Sequence, residues 1–318
     1  MRHLIGMGEL LIDFIPQEVG ESLEHVKTFN KMAGGAPANV CACFAKLGGR
    51  AFFMGQVGDD PFGHFLAKTL EQASVDISYL HYTHKAKTSL AFVSIHDEGE
   101  RDFMFYRDPS ADQLFEPKQV DKNIFEHAIF HFCSVGLKEY PLKYAHLEAI
   151  KYAKKNGSII SFDPNLRFSL WDNHQELKKT VLSFIPYAHI LKLSVDELIF
   201  LTETKSIDKG ISILFNGSVQ IIVLTRGKEG SSIYLKHETY HHPSFDVNVV
   251  DTTGAGDAFI GAFLYQYAKH EHHTIDYEKV LAFASATSAI VVSHFGAIPS
   301  LPTIFDVEQF MLKYPIKL

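Results

Sequence analysis

The feature that most constrains the fold is a regular alternation of short apolar segments with longer segments of helical periodicity. Six of the short segments are rich in β-branched or aromatic residues and have the length of a strand. They are residues 3–7, 51–57, 128–133, 158–163, 189–193 and 219–225. Strands and helices that alternate at this spacing form right-handed parallel crossovers. The sequence therefore predicts an α/β fold, a doubly wound and mostly parallel sheet with helices on both faces.

Two of the predicted helices have clear ends. Pro37 begins one that Gly48 ends, and Asp60 caps another that begins at Pro61. Proline is favoured at the first helical position, and aspartate accepts the unpaired N–H groups there.

One region departs from the alternation. Residues 88–95 and 101–107 are strand-like and are joined by the polar residues 96–100, which predicts an antiparallel hairpin. Further strand-like segments lie within residues 11–30, with one strand expected near 25–30. The chain is therefore predicted to be one domain over residues 1–318, with a small β-sheet lid built from strands within about 11–30 and 88–107.

Charge and hydropathy exclude several classes of protein. The 30 Lys and Arg residues are outnumbered by 37 Asp and Glu, a net charge of −7, and no basic run is present, so we expect no nucleic acid or membrane partner. The longest apolar segments fall far below the roughly 20 residues of a membrane span. Glu9 and Asp13 come too early for a secretory signal, so a cytoplasmic location is expected.

Cysteine and histidine do not point to a metal centre. The three cysteines are an odd number in a long chain, and Cys41 and Cys43 stand at i, i+2 of a predicted helix, on different faces. A disulfide framework or a thiolate zinc site is therefore not expected, and we interpret them, with Cys133, as core residues. The histidine-rich residues 270–273 close a predicted helix, and we interpret them as a solvated helix end.

The first segment that carries chemistry begins at Asp251. The small residues Gly254, Ala255 and Gly256 lead directly into a helical pattern, so their N–H groups are unpaired donors at a helix N-terminus. Such a terminus binds anions, and small side chains let a phosphate approach the backbone. Asp257 in this setting is either a simple helix stabiliser or the general base that takes a proton from a hydroxyl attacking the phosphate.

The second segment is Gly34 and Gly35 followed by a proline-started helix with Asn39 in its first turn. The glycines allow close backbone approach, and the amide both donates and accepts hydrogen bonds with hydroxyls. The spacing matches neither a P-loop nor a dinucleotide-binding fingerprint, so both are excluded.

These two segments together resemble the signatures of the PfkB, or ribokinase-type, carbohydrate kinase family. They read GGAPAN at 34–39 and DTTGAGD at 251–257. Four further segments resemble the bacterial fructokinase branch of that family, and the resemblance runs nearly end to end. They are GELLID at 8–13, FYRDPSAD at 105–112, FDPNLR at 162–167 and GAIPS at 296–300.

The resemblance implies roles for individual residues. Asp257 would be the base, and the N–H groups of Gly254, Ala255 and Gly256 would stabilise the charge on the transferred phosphoryl group. The sugar-binding positions of the family match Asp13, Gly34, Gly35 and Asn39, and two arginines would reach the sugar or the phosphates, Arg107 and Arg167.

The resemblance also implies nucleotide and cation sites. The nucleotide positions correspond to Lys192, Ser194, Glu197, Thr225, Gly227, Gly230 and Gly296. Magnesium in this family is organised through water near an Asn-x-x-Glu motif, of which this chain keeps Glu197 and has Ser194 in place of the asparagine. A monovalent cation, K⁺, would be held by Asp251, Thr253 and Ser300 with nearby carbonyl groups, although Asp251 is also a reasonable helix N-cap.

The predicted function is that of an ATP-dependent sugar kinase, with D-fructose as the expected substrate and ATP, Mg²⁺ and K⁺ as the expected cofactors. The alternatives within the family are a 2-keto-3-deoxygluconate kinase and an aminoimidazole riboside or nucleoside kinase. The first usually has a tyrosine two residues before the lid arginine, where this chain has Phe105. A non-catalytic sugar-binding protein on the same fold would lack the base, and Asp257 is present. A homodimer through the lid is also expected.

Overall fold

The computed structural model describes residues 1–18, 20–95, 101–270 and 275–314. In chain order the strands are β1 (His3–Met7), β2 (Leu11–Pro16), β3 (Phe29–Gly34), β4 (Ala51–Gly58), β5 (Asp76–Thr83), β6 (Ser89–Ile95), β7 (Arg101–Tyr106), β8 (Ala128–Cys133), β9 (Ile159–Asp163), β10 (Ile190–Ser194), β11 (Ile221–Thr225), β12 (Ser231–Tyr234) and β13 (Thr239–His242). The helices are α1 (Ala36–Lys46), α2 (Pro61–Gln72), α3 (Pro141–Lys155), α4 (His174–Phe184), α5 (Val195–Thr202), α6 (Ile207–Leu214), α7 (Ala255–Lys269), α8 (Tyr277–Val292) and α9 (Ile304–Lys313).

The main sheet has nine strands in the order β13-β12-β11-β10-β9-β8-β1-β4-β5. The strands from β11 to β5 pair in parallel, and β12 and β13 extend this sheet as an antiparallel hairpin. All six strands predicted for the body are present, which confirms the mostly parallel α/β fold. The strand β5 was not predicted, because its polar and apolar residues alternate at a half-exposed edge of the sheet.

The second sheet has four strands in the order β3-β2-β6-β7. The predicted hairpin is confirmed, since β6 and β7 pair antiparallel, and its connection at 96–100 lies outside the described residues. Residues 271–273 lie outside them as well. The strand expected near 25–30 is wrong in position. Its partner β2 pairs from Pro16 opposite Phe29 to Leu11 opposite Gly34, so the strand continues to Gly34, while residues 22–25 form a turn.

The helices cover both faces of the main sheet, as predicted. One apolar core lies under α1, α2, α7, α8 and α9, and the other lies under α3 to α6. Neighbouring residues of a strand belong to opposite cores: Ile222 packs in the second and Val223 in the first. Strands that are buried on both faces are typical of a parallel sheet. Within the described ranges, no helix has both the length and the apolarity needed to cross a bilayer.

The predicted helix ends are close to those observed. The Asp60 carboxylate accepts the N–H groups of Phe62 and Gly63 at 3.0 and 2.9 Å, so it caps α2 as expected. Helix α1 begins at Ala36, one residue before Pro37. All three cysteines are buried free thiols.

Candidate active site

A cavity of about 300 Å³ lies at the carboxyl ends of the central parallel strands, between the main sheet and the four-stranded sheet. The carboxyl ends of parallel strands are the usual binding edge of an open α/β sheet. The lining residues come from both sheets and from the N-terminal ends of α1 and α7. They are Glu9, Leu11, Asp13, Gly35, Ala36, Asn39, Phe105, Val135, Asn165, Arg167, Lys192, Thr252, Thr253, Gly254, Gly256 and Asp257.

The N-terminus of α7 forms one wall of the cavity. Gly254 is its N-cap residue and has a φ of 76°, in the left-handed region that favours glycine. A Cβ atom at this position would lie 2.6 Å from that of Ala297, so a side chain has no room there. Gly254 and Gly256 line the cavity, so small residues stand there at a helix N-terminus, which is the arrangement of an anion site. Ala255 does not line the cavity, and its N–H donates to the carbonyl of Thr252 at 3.3 Å. The N-cap is Gly254, so Asp251 does not cap this helix.

Asp257 lies in the first turn of α7, with only 8% of its surface exposed. Its Oδ2 accepts a hydrogen bond from Asn39 Nδ2 at 2.8 Å, although the two residues are 218 positions apart in the sequence. Burial raises the pKa of Asp257, and the Asn39 hydrogen bond and the charges of Lys192 and Arg167 act in the opposite direction. A carboxylate with a raised pKa is a stronger base than an exposed one.

The double glycine connects the lid strand β3 to helix α1. Gly35 has a φ of 116°, and a Cβ atom there would lie 2.3 Å from the carbonyl oxygen of Glu9. A Cβ atom on Gly34 would lie 2.1 Å from Asp13 Oδ2. Gly34 therefore packs behind the Asp13 carboxylate, while Asp13 and Gly35 line the cavity.

Lys192 extends into the cavity from β10 and is paired with a buried aspartate. Its Nζ lies 2.8 Å from Asp163 Oδ2, at the carboxyl end of β9. Burial alone would lower the pKa of Lys192, but Asp163, Glu197 and Asp257 raise it above its ordinary value. The lysine is therefore a fixed positive charge between strand ends and helix α7.

Ser194 and Glu197 form a capping box at the start of α5. The Glu197 carboxylate accepts the backbone N–H of Leu166 through Oε1 and that of Ser194 through Oε2, both at 2.8 Å. Glu197 thus ties the loop after β9 to the end of β10. These two residues do not line the cavity described above.

Asp251 connects two turns next to the anion site. Its Oδ1 accepts the N–H and the hydroxyl of Thr253, at 2.8 and 2.7 Å, and its Oδ2 accepts the N–H of Gly296 at 2.9 Å. The hydroxyl of Ser300 donates to the carbonyls of Gly296 and Ala297. The predicted cation residues therefore lie together, as a group of oxygen donors.

The predicted nucleotide turn follows β11. Thr225 donates its hydroxyl to the carbonyl of Leu193, and the Arg226 N–H closes the turn on the carbonyl of Gly230 at 2.8 Å. Gly227 and Gly230 both have positive φ values, 54° and 94°. Gly230 requires glycine, since a Cβ atom would lie 2.1 Å from the carbonyl oxygen of His242.

The two predicted arginines are placed differently. Arg167 lines the cavity and lies close enough to Asp257 to lower its pKa. Arg107 is buried, does not line the cavity, and forms an ion pair with Asp112.

Seven of the lining residues were not predicted as site residues, and two of them, Glu9 and Asn165, follow strands of the main sheet in segments quoted for the family resemblance. Glu9 follows β1 and is 3% exposed; its Oε1 accepts the N–H of Ala36 at 3.2 Å. Asn165 follows β9 and has a φ of 43°, unusual for a residue with a side chain. Their position directly after a parallel strand is the signal that could have identified them.

Comparison with known proteins relates this geometry to enzymes. The model of the pfkB family of carbohydrate kinases matches residues 1–304. A probable fructokinase-2 of Arabidopsis thaliana is 42% identical over 313 residues, which cover 97% of this chain and 95% of that protein.

Solved structures agree with the sequence comparison. Fructokinase of Xylella fastidiosa with bound ATP superimposes with a TM-score of 0.89 at 33% identity, and 99% of each chain is covered. Fructokinase of Vibrio cholerae O395, with fructose, ADP and calcium, gives a TM-score of 0.89 at 33% identity over 98% of this chain and 99% of that chain. A double mutant of the same enzyme was solved with fructose, ADP and potassium.

Proposed function

Because this chain belongs to the pfkB family of carbohydrate kinases, we propose that it is an ATP-dependent fructokinase. It transfers the γ-phosphoryl group of ATP to a hydroxyl group of D-fructose. The relatives described above are a probable fructokinase and two fructokinases, each similar to this chain over nearly its whole length, and one of them was solved with fructose.

The observation that carries the chemistry is the buried Asp257 beside the glycine-rich N-terminus of α7. In the proposed reaction the oxygen of a sugar hydroxyl forms a bond to the γ-phosphorus, and Asp257 accepts the hydroxyl proton. The bond from the γ-phosphorus to its bridging oxygen breaks, and ADP leaves. The N–H groups of Gly254, Ala255 and Gly256 stabilise the negative charge on the transferred group.

Sugar recognition is assigned to the residues around the double glycine. Asp13 and Asn39 supply a carboxylate and an amide, which suit an uncharged polyol. Asn39 Oδ1 is buried and has no hydrogen-bond partner among the described residues, so it is available to accept a sugar hydroxyl. Gly34 and Gly35 let the sugar approach the backbone, and Arg167 lies where it can contact the sugar or the phosphates.

The donor sets near the cavity fit the expected cations. Asp251, Thr253 and Ser300 supply only oxygen atoms, which suit a hard cation such as K⁺. Each Glu197 oxygen already accepts one backbone N–H and keeps a lone pair for a metal-bound water, which fits water-mediated Mg²⁺. When bound, Mg²⁺ neutralises charge on the phosphates. The nucleotide itself is assigned to Lys192 and to the turns at Thr225, Gly227, Gly230 and Gly296.

The proposal extends to organisation and location. We assign residues 1–318 to one catalytic unit, because both sheets supply residues to one cavity. Met104 and Tyr106 on the edge strand β7 are 46% and 57% exposed, which supports a homodimer formed through the lid. Analytical ultracentrifugation of the parent and of Tyr106→Glu tests this contact.

A cytoplasmic location suits an enzyme that consumes ATP, and cell fractionation tests it.

The activity is tested by measuring ADP release from ATP with purified protein. The acceptors are fructose, ribose, 2-keto-3-deoxygluconate, fructose 6-phosphate and aminoimidazole riboside. We expect the highest kcat/KM with fructose. A higher value with any of the others would contradict the fructose assignment, and no turnover with any acceptor would contradict the kinase assignment.

A further inference from the structure

Lys192, which lines the cavity, forms a buried ion pair with Asp163. The side chains are 8% and 1% exposed, and the Nζ to Oδ2 distance is 2.8 Å. Both residues are near the carboxyl ends of neighbouring parallel strands, β10 and β9. The cavity is lined by the lysine and not by the aspartate, so Asp163 contacts the site only through Lys192.

The Lys192 ammonium group lies against the N-terminal turn of α7. A Cβ atom on Gly256 would be 3.1 Å from Lys192 Nζ, so the lysine and the backbone of Gly256 are in close approach. Gly256 belongs to the turn whose N–H groups are assigned to the transferred phosphoryl group. The ammonium group therefore adds a full positive charge to the partial charges of that turn.

Stability alone does not explain this pair. A buried ion pair gains little over apolar residues of similar volume, because both charges lose their hydration. The second oxygen of Asp163, Oδ1, is buried without a hydrogen-bond partner among the described residues, so the carboxylate is only half satisfied. The pair fixes the position of the Lys192 ammonium group. A lysine side chain has four rotatable bonds, and the ion pair with Asp163 restricts its conformational freedom.

Two other carboxylates attract the same ammonium group. Glu197 and Asp257 both raise the pKa of Lys192, as Asp163 does. Without Asp163, the lysine would be drawn toward Asp257, the proposed base. A direct ion pair there would neutralise the carboxylate that has to accept the hydroxyl proton.

We propose that Asp163 is a positioning residue, which holds the Lys192 ammonium group against the N-terminus of α7 and away from Asp257. This inference rests on the proposed kinase function. Lys192 acts on the transferred phosphoryl group, and Asp163 acts only through Lys192.

The test is a double-mutant cycle on kcat with Asp163→Asn, Lys192→Met and the double variant. Removing one donor from an anion site lowers kcat by about 10²–10³-fold, which is the expected loss for Lys192→Met. Asp163→Asn keeps the shape and removes the charge, and we expect a loss in kcat of roughly tenfold or more with the KM for the sugar within about twofold of the parent. The double variant should be no slower than Lys192→Met, because in this proposal the aspartate acts through the lysine.

A matched control comes from the same strand. Ser161 is buried two residues before Asp163 and contacts His131 Nδ1 at 3.0 Å. Ser161→Ala also removes a buried polar group from β9, and kcat should stay close to that of the parent. The folded fraction of each variant is measured by sugar titration, and Asp163→Ser replaces Asp163→Asn if the latter does not fold.

The possible outcomes distinguish the positioning role of Asp163 from the kinase function. Losses that multiply in the double variant, or an Asp163→Asn variant with the kcat of the parent, would overturn the positioning role while leaving the kinase function intact. If the parent prefers another sugar, the cycle is run with that sugar. A parent inactive with every sugar would overturn the kinase function and this inference together.

Discussion

Asp257 is subject to opposing electrostatic effects. Burial raises its pKa, whereas the Asn39 hydrogen bond and the charges of Lys192 and Arg167 lower it. The N-terminus of α7 also favours the charged form. Burial thus makes this carboxylate a stronger base, while the Asn39 hydrogen bond and the neighbouring positive charges favour its charged form, which is the form that accepts a proton.

We predict that Asp257→Asn lowers kcat by roughly 10²–10⁴-fold, because the amide keeps the shape and cannot accept the proton. Nucleotide affinity should stay nearly unchanged. Steady-state kinetics and a nucleotide titration check both statements. Asp276→Asn is the control, since Asp276 is an N-cap residue of α8 that accepts the N–H of Lys279 and lies away from the cavity. Activity within about threefold of the parent would contradict the role of Asp257.

Glu9 makes stability depend on pH. Burial raises the pKa of Glu9 to about 7 from an ordinary value of 4.5, although the charge of Arg107 lowers it. Between these values the folded chain binds the proton more tightly than the unfolded chain. The stabilising contribution is therefore complete below about pH 4.5 and is lost as the pH rises through about 7.

We predict that the parent loses stability relative to Glu9→Gln as the pH rises from 5 to 8, by up to about 3 kcal/mol. Urea unfolding of both proteins at the two pH values gives this difference. The same change at the exposed Glu71 controls for the substitution. A difference that stays constant between the two pH values would contradict the buried placement of the Glu9 carboxylate.

At the scale of elements, the N-terminus of α7 depends on the turn that precedes it. Asp251 joins that turn to Gly296 in the segment that follows α8, and Gly296 has a φ of 84°. A Cβ atom on Gly296 would lie 2.4 Å from Met32 Cε, on the lid strand β3. Two helices and the lid therefore meet at one cluster of oxygen donors.

A cation bound by these oxygens would hold the turn, and with it the anion site. We predict that replacing K⁺ by tetramethylammonium, at constant ionic strength, lowers the rate of ADP formation severalfold. The methyl groups of tetramethylammonium keep oxygen ligands away from its charge, so it cannot be coordinated as a metal ion is. Equal rates in the two salts would contradict the K⁺ site and would not affect the proposed kinase function.

At the scale of the whole molecule, the choice of sugar depends on how the lid faces the body. The lid contributes Leu11, Asp13 and Phe105 to the cavity, and none of them carries a positive charge. Arg107 is engaged in a buried ion pair with Asp112 and is thereby held away from the cavity. The lid surface in the cavity therefore suits a neutral sugar better than an acid sugar.

We predict that kcat/KM for fructose exceeds that for 2-keto-3-deoxygluconate by roughly 10²-fold or more, because a mismatched sugar leaves buried polar groups unpaired. Both substrates are measured on the parent and on Arg107→Ala. An acid preference in the parent that collapses in the variant would show that Arg107 leaves Asp112 to bind a carboxylate, and that the fructose assignment is mistaken.

The local sequence pattern predicts much of this architecture. The alternation of strands and helices predicts the parallel sheet, because each crossover is a local event, and small residues before Asp257 predict the α7 terminus. The half-exposed strand β5 was missed, and β3 was placed too early, because its end is set by pairing with β2. The contact between Asn39 and Asp257 joins positions 218 apart, and the pairing of Lys192 with Asp163 depends on which strands are neighbours. Neither follows from spacing in one sequence.

The reactivity of the three buried thiols can report local opening of the fold. Two lie on α1, where Cys41 donates to the carbonyl of Phe52 and Cys43 to that of Ala258, the residue after Asp257. Burial raises the pKa of Cys41 to about 12, so its thiolate is scarce as well as hidden. A thiol reagent should therefore modify Cys41 and Cys43 only as fast as α1 separates from its neighbours. The labelling rate, followed with and without sugar, measures how often that separation occurs and how firmly a ligand suppresses it.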